Sequence, residues 1–238
     1  MSSGGPLAGM EPTADWHARQ HFNFLFEIET RAVEPLLPAR IGPVEVRTGI
    51  SVLNVGYMSF APGSLGTLPA FEEITFSIQV QPDLSLDMPV PRLAVFDLRI
   101  GSNCREFLDF EAEHQRLSGD HSATLAGRIN PAQDRLEVSD RDGRIFVFEN
   151  THPAPLFKRE TAYGQYYAQR EDGLYQGVFQ WEGIGCEHQR EGEGGRLFNH
   201  PFFRELDVED LVQDCYMQMF LAPDTGALFR SFRPRRLC

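Results

Sequence analysis

The stretch "FEEITFSIQV" occupies residues 71–80. Alternation along it sends Phe71, Glu73 and Thr75 to one face and Glu72, Ile74 and Phe76 to the other. A period of two in β-branched and aromatic residues is the pattern of a strand. Working outward, "EVRTGISVLNVGYMSF" (45–60), "RLAVFDLRI" (92–100) and "RLEVSDRDGRIFVFEN" (135–150) repeat it, and "GLYQGVFQWEGIGCEH" (173–188) and "CYMQMFLAPDTGALFRSF" (215–232) continue it. "DRDG" (140–143) reads as the turn of a hairpin. Helical signal is scarce. "ETRAVEPLLP" (29–38) offers Thr30 as a cap, with Val33, Leu36 and Leu37 on one face and Pro35 to keep it short. "LDVEDLV" (206–212) carries a weak capping pattern in Asp207 and Asp210. These elements predict a β-dominated chain with a few short helices. Closure into a barrel, which removes exposed edges and encloses a ligand cavity, is the expected architecture.

Composition narrows the function. The formal charge of −12 argues against nucleic acid, whose phosphates attract positive surfaces. No apolar run reaches the roughly 18–20 residues of a membrane span. The opening "MSSGGPLAGMEPTADW" (1–16) lacks the charged start and apolar centre of a signal peptide and is expected as a flexible arm, with residues 17–238 forming a single domain. Cys104, Cys186, Cys215 and Cys238 form no Cys-x-x-Cys pair, so reduced thiols in a cytoplasmic protein are expected. The basic run "RSFRPRRLC" (230–238) reads as an exposed tail. Of the 22 basic residues only Lys158 is a lysine, and arginine cannot take its place in imine chemistry.

Several stretches in collinear order resemble the acetoacetate decarboxylase superfamily. "ARQHFNFLFEIETRAVEPLLPARIGPVEV" (18–46) is similar to the family's opening, and "AFEEITFSI" (70–78) to its central strand. "GSNCREFLDF" (101–110) is similar to its Gly-Arg-Glu segment, and "LFNHPFFRELDVEDLVQDCYMQMFLAPDTGALF" (197–229) to its ending. The resemblance implies a large closed β-barrel or double-barrel cone around a mostly apolar cavity, in a homo-oligomer. It also implies a cavity lysine that forms a Schiff base with a ketone. The family's lysine would fall near Glu111, Ala112 and Glu113, and neither a carboxylate nor a methyl group can form an imine. Lys158, in "THPAPLFKRETAYG", reads as an exposed lysine in a loop.

The resemblance carries the candidate site residues. Arg19 matches a cavity arginine suited to anchor a carboxylate, or serves only to salt-bridge a nearby Glu and order the N-terminal strand. Glu73 matches a strand glutamate and would serve as general acid or base if its face lines the cavity, with Phe71 and Thr75 beside the ligand. Arg105 and Glu106 match the Arg-Glu pair, as substrate-binding and catalytic candidates or as a structural pair. A second family glutamate, expected within 47–53, has no carboxylate counterpart in "RTGISVL". Asp109, Glu111, Glu113 and His114 read as a solvated acidic face, or alternatively as carboxylates that reverse the preferred charge of a ligand approaching that wall. His17 and His21, four apart, lack a third ligand, so no metal site is expected. Cys186 and His188 lack the third group that a nucleophilic couple needs. The aromatic run of Tyr163, Tyr166, Tyr167, Tyr175, Phe179 and Trp181 reads as core and cavity lining.

Together these readings predict a cofactor-free lyase-like enzyme, one that handles a small carbonyl compound or carboxylic acid by acid–base chemistry. Enolisation, dehydration, cyclisation and hydrolysis all fit. A non-catalytic binding barrel and a decarboxylase using Lys158 are the alternatives.

Overall fold

The computed structural model describes residues 7, 9–130, 132–149, 158–188, 195–206, 215–221 and 227–237. Its strands, in chain order, are β1 (Pro12–Glu29), β2 (Glu45–Arg47), β3 (Ile50–Phe60), β4 (Phe71–Gln79) and β5 (Leu93–Ser102). Then come β6 (Gly119–His121), β7 (Ala126–Asn130), β8 (Arg135–Asp140), β9 (Gly143–Glu149) and β10 (Lys158–Arg170). The last five are β11 (Gly173–His188), β12 (Gly195–Leu197), β13 (Cys215–Leu221), β14 (Ala227–Phe232) and β15 (Arg235–Arg236). Two short α-helices, α1 (Thr30–Val33) and α2 (Arg105–Phe110), accompany them. No described helix is long and apolar enough to cross a membrane.

Seven strands close a mixed barrel in the order β1, β14, β11, β10, β5, β4, β3, with β3 returning to β1. All neighbours are antiparallel except β5 and β10. The long strand β1 makes closure possible. One of its edges pairs with β3 from Ala18 to Glu29, while the other takes β14 first and β13 further along. A separate sheet of β12, β9, β8 and β7 packs against the barrel's outside. The core between them joins Phe22, Phe24 and Phe26 of β1 to Leu136, Val138, Phe146 and Phe148. Glu72 helps hold the two sheets together, because it turns out of the barrel and accepts the backbone N–H of Gly127 on β7.

The hairpin read from "DRDG" is present, with Asp140 opposite Gly143 and Gly143 at φ +127°. The region read as one strand over 45–60 is two, β2 and β3, separated by Gly49 at φ +75°. Helix α1 is short, as Pro35 requires, and passes into a 3₁₀ turn over Glu34–Leu36. Thr30 does not cap it. Its hydroxyl instead donates to Glu45 at 2.7 Å.

Three other expectations change. Strand β1 begins at Pro12, inside the stretch expected as an arm. The basic C-terminal run folds back rather than trailing as a tail. Arg230 pairs with Asp15, Arg233 with Glu11 and Arg235 with Asp83, while Phe232 is buried. Lys158 is the first residue of β10, opposite Gly185, instead of lying in a loop. The helix read over 206–212 falls, from Asp207 onward, outside the described residues.

Candidate functional site

The barrel interior is a cavity of about 150 Å³, and all seven barrel strands contribute to its wall. That is room for a ligand about the size of one aromatic ring. Most of the wall is apolar. Strand β11 supplies Phe179 and Trp181, β10 supplies Tyr166, and β1 supplies Trp16. Met58, Phe60, Leu93, Val95, Ile100 and Phe229 complete the hydrocarbon surface.

Two glycines allow the aromatic wall to form. Tyr166 lies opposite Gly177, and Phe179 lies opposite Gly164. A Cβ on Gly177 would stand 1.9 Å from the Tyr166 ring, and one on Gly164 would stand 2.2 Å from Phe179. Each ring lies over the bare backbone of the neighbouring strand. Gly177→Ala should therefore cost about 1–3 kcal/mol by overpacking. Urea unfolding would measure the loss, and an unchanged midpoint would show that Tyr166 can move aside freely.

Set into this apolar wall are three carboxyl groups and one imidazole. Glu73 comes from β4, Asp97 from β5 and His21 from β1. Glu111 arrives from outside the barrel wall, on a π-helical turn (Glu111–Gln115) that continues α2. The wider turn points both Glu111 and Gln115 inward, and Arg116, at φ +61°, ends it. Gln115 is then locked. Its amide nitrogen donates to Thr13 and Ser231, and its side-chain oxygen accepts from Tyr166 Oη at 2.7 Å.

Burial sets the protonation of these groups. Loss of water pushes Glu73 up to about 8, with the nearby Asp97 carboxyl adding to the effect. Asp97 rises to about 8 by burial. Glu111 is held well above the usual carboxylate range, first by burial and then by Glu73 and Asp97. Burial acts on His21 in the opposite sense and lowers it to about 4. Near neutral pH the site therefore holds a neutral imidazole among largely protonated acids.

The hydrogen-bond arrangement is the most informative feature. Asn23 Nδ2 donates to His21 Nε2 at 2.7 Å, so the imidazole proton sits on Nδ1. That Nδ1–H is buried without a partner, as is the indole N–H of Trp16. Glu73 Oε2, Glu111 Oε1 and Asn54 Oδ1 are also buried without partners. Among the described residues, only Ser64 Oγ is similarly placed elsewhere. Folded proteins pair their buried polar groups, because an orphan costs roughly 1–3 kcal/mol. Five such groups in one cavity are what a small polar ligand would satisfy.

The sequence matches no protein-family model and no curated protein. Solved structures do match. Acetoacetate decarboxylase from Legionella pneumophila superposes with a TM-score of 0.58 at 12% identity, over 99% of this chain and 88% of that one. The chain has the acetoacetate decarboxylase-like fold. The enduracididine biosynthesis enzyme MppR in complex with pyruvate is similar at a TM-score of 0.57 and 9% identity, covering 96% of this chain and 92% of that one. An acetoacetate decarboxylase-like enzyme from Sphingomonas wittichii RW1 gives 0.53 and 14%, covering 94% and 92%.

Within this acetoacetate decarboxylase-like barrel, Glu73 and Thr75 both line the cavity. The other candidates do not. Arg19 is the extra residue of a bulge, lying between Ala18 opposite Phe60 and Gln20 opposite Ser59, and its side chain is exposed. The same bulge separates the two histidines, leaving His17 outside and His21 inside. Arg105 and Glu106 occupy the exposed face of α2, because Phe107 and Leu108 take the buried one. Phe71 is buried in a stack between Phe60 and Phe107, at centroid distances of 4.5 and 4.6 Å, and does not reach the lining.

The expected acidic face divides. Asp109 and Glu113 are exposed, but Glu111 is 3% exposed and part of the cavity wall. No described lysine lines the cavity. The side chains of Lys158, Cys186 and His188 lie outside the described residues.

Asp97 and Gln115 escaped the sequence reading. The findable signal for Asp97 is an acid in the middle of the apolar run "RLAVFDLRI". A second polar cluster, Asp140, Asp142 and His200, has ligand atoms within 4.8 Å of one another. There His200 Nδ1 accepts the Phe202 N–H, so Nε2 carries the proton and donates to Asp140 at 3.0 Å. Through both ring nitrogens of His200 this cluster fastens the turn after β12 to the β8–β9 hairpin.

Proposed function

We propose that this protein is an enzyme that moves a proton on a small carbonyl compound, without forming an imine. The observation that carries the reading is the unpartnered Glu73 Oε2 in an apolar cavity, on a carboxyl that burial brings to about 8. A group with that pKa can both give and take a proton near neutral pH.

The ionised form of Glu73 would remove a hydrogen from the carbon next to the carbonyl. The C–H electron pair becomes the C=C bond of an enolate, whose negative charge rests on the former carbonyl oxygen. The Trp16 and His21 N–H groups are the donors available to that oxygen, as preorganised dipoles. Neutral imidazole suits this role, because it donates without carrying a buried charge. Glu73 then returns the proton to the same carbon or to a neighbouring one. Enolisation is thus the shared first step, and dehydration or cyclisation would follow from it. A carbonyl substrate also fits the pyruvate complex of MppR, a protein of the same fold. Arg19, Arg105, Glu106 and Phe71 have no part in this scheme.

Incubation with a panel of small ketones and 2-keto acids in D₂O tests the proposal. Protein-dependent exchange of the α-hydrogens is expected by proton NMR, with no covalent adduct after borohydride reduction. A borohydride-trapped adduct on Lys158 would replace this reading with Schiff-base decarboxylation. Tight binding without exchange would reduce the barrel to a binding protein.

A further inference from the structure

We infer that the cavity takes a ligand bearing a protonated basic nitrogen, held between the carboxyl groups of Asp97 and Glu111 and the aromatic wall of Trp16, Tyr166, Phe179 and Trp181. The inference deepens the proposed reaction by naming the charge of the substrate.

The wall is built for a cation. Phe179 lies nearly parallel to Trp181 and to Tyr166, with ring centroids 5.4 and 6.5 Å away, and all three rings line the cavity from β10 and β11. Trp16 approaches from β1. Aromatic faces attract ammonium and imidazolium groups through the ring quadrupole, and the attraction strengthens when the pair is desolvated. The same cavity holds Glu73, Asp97 and Glu111 with no lysine among its described lining.

The two arginines of the lining do not supply an internal counter-charge. Arg230 is held by Asp15 through two hydrogen bonds of 2.6 and 2.7 Å, and Arg92 is exposed at the rim. Glu73 and Glu111, 4% and 3% exposed, each keep a buried oxygen without a partner. A neutral apolar ligand would leave both oxygens unsatisfied; a cation favours release of a carboxyl proton to solvent and then pairs with the carboxylate, whereas an anion has no such gain from this wall. An ammonium or imidazolium group fits both halves of the wall: it donates to the carboxyl oxygens and presents its charge to the rings.

A series of equal shape and different charge tests the inference on the whole, unmodified chain. Tert-butylammonium, tert-butanol and pivalate would be titrated at neutral pH and followed by calorimetry and by tryptophan fluorescence. Tert-butylammonium should bind at least about tenfold more tightly than tert-butanol, in line with cation–π and carboxylate contacts acting together. Pivalate should bind most weakly. Glu111→Gln and Trp181→Leu should each erode the preference for the cation, with thermal unfolding confirming that each variant is folded.

Equal affinity, preference for pivalate, or binding of none of the three would overturn the inference. The α-hydrogen exchange assay separates its failure from that of the proposed reaction. Exchange of neutral ketones without cation preference leaves the reaction standing alone. Cation preference without exchange leaves the ligand class standing alone.

Discussion

Glu73→Gln should lower protein-dependent α-hydrogen exchange by about 10²–10⁴-fold, the usual contribution of a positioned general acid or base. The substitution keeps the shape of the side chain and removes its ability to accept a proton from carbon. Glu73 stands on β4 with Met58 opposite on β3 and Ser102 opposite on β5, so its backbone is paired on both sides. Ligand affinity should change by much less than turnover, because Trp16, His21, Asn54 and Glu111 continue to offer polar atoms. Asp97→Asn should be milder in kcat, since Asp97 acts on Glu73 by raising its pKa. Its signature is a shift of the pH–rate profile to lower pH. Equal turnover in wild type and Glu73→Gln would remove Glu73 from the mechanism.

The same substitution should stabilise the protein at high pH. A carboxyl whose pKa is raised on folding binds its proton more tightly in the folded chain than in the unfolded one. Stability then falls as pH rises from the unfolded value, near 4.5, toward the folded value of about 8. Glu73 alone contributes a loss of order 2–5 kcal/mol across that window, at about 1.4 kcal/mol per unit. Asp97 and Glu111 act in the same direction. His21 opposes them at lower pH. Its folded pKa of about 4 lies below the ordinary 6.5, so its contribution rises with pH between those values. The clearest window is therefore between about 6.5 and 8.

Glutamine at position 73 carries no ionisation, so the variant's advantage should grow from pH 5.5 to pH 8. It should reach roughly 5–15 °C in Tm at pH 8, at about 2–4 °C per kcal/mol for a chain of this size. A gap that does not widen with pH would mean that Glu73 is ionised and solvated in the folded protein. The two effects share one cause: a site that keeps a carboxyl desolvated for the proposed proton transfer is destabilised by it.

Alternation alone was enough to put Glu73 and Thr75 on one face of β4, and the turn at 140–143 was equally plain from its residues. What a single strand cannot reveal is a change of parity. The bulge at Arg19 turns that side chain outward and brings His21 inward. A second register shift, at Leu98 on β5, lets both Asp97 and Ile100 face the cavity although they are three residues apart. Each bulge is fixed by pairing with a distant strand, so the local sequence carries no mark of it.

The π-helical turn has the same character. "FEAEH" reads as an acidic surface, yet one residue of extra winding buries Glu111 and leaves Glu113 in solvent. The matched stretches placed the family's lysine in this segment, and the structure places an inward-facing carboxyl there. A carboxyl group cannot form an imine, whatever its protonation. The fold could be read by resemblance because it rests on many strands. The proposed reaction rests on a few inward side chains whose parity is set by tertiary pairing.

The most direct measurement is a carbon-13 NMR titration of protein labelled at the glutamate side-chain carboxyls, run on wild type and Glu73→Gln. The resonances of Glu73 and Glu111 should both keep the chemical shift of a protonated acid at pH 6.5, and the one that moves near pH 8 should be missing from the variant. If every glutamate has finished titrating by about pH 5, Glu73 is an ordinary solvated carboxylate and the proposed proton transfer is contradicted.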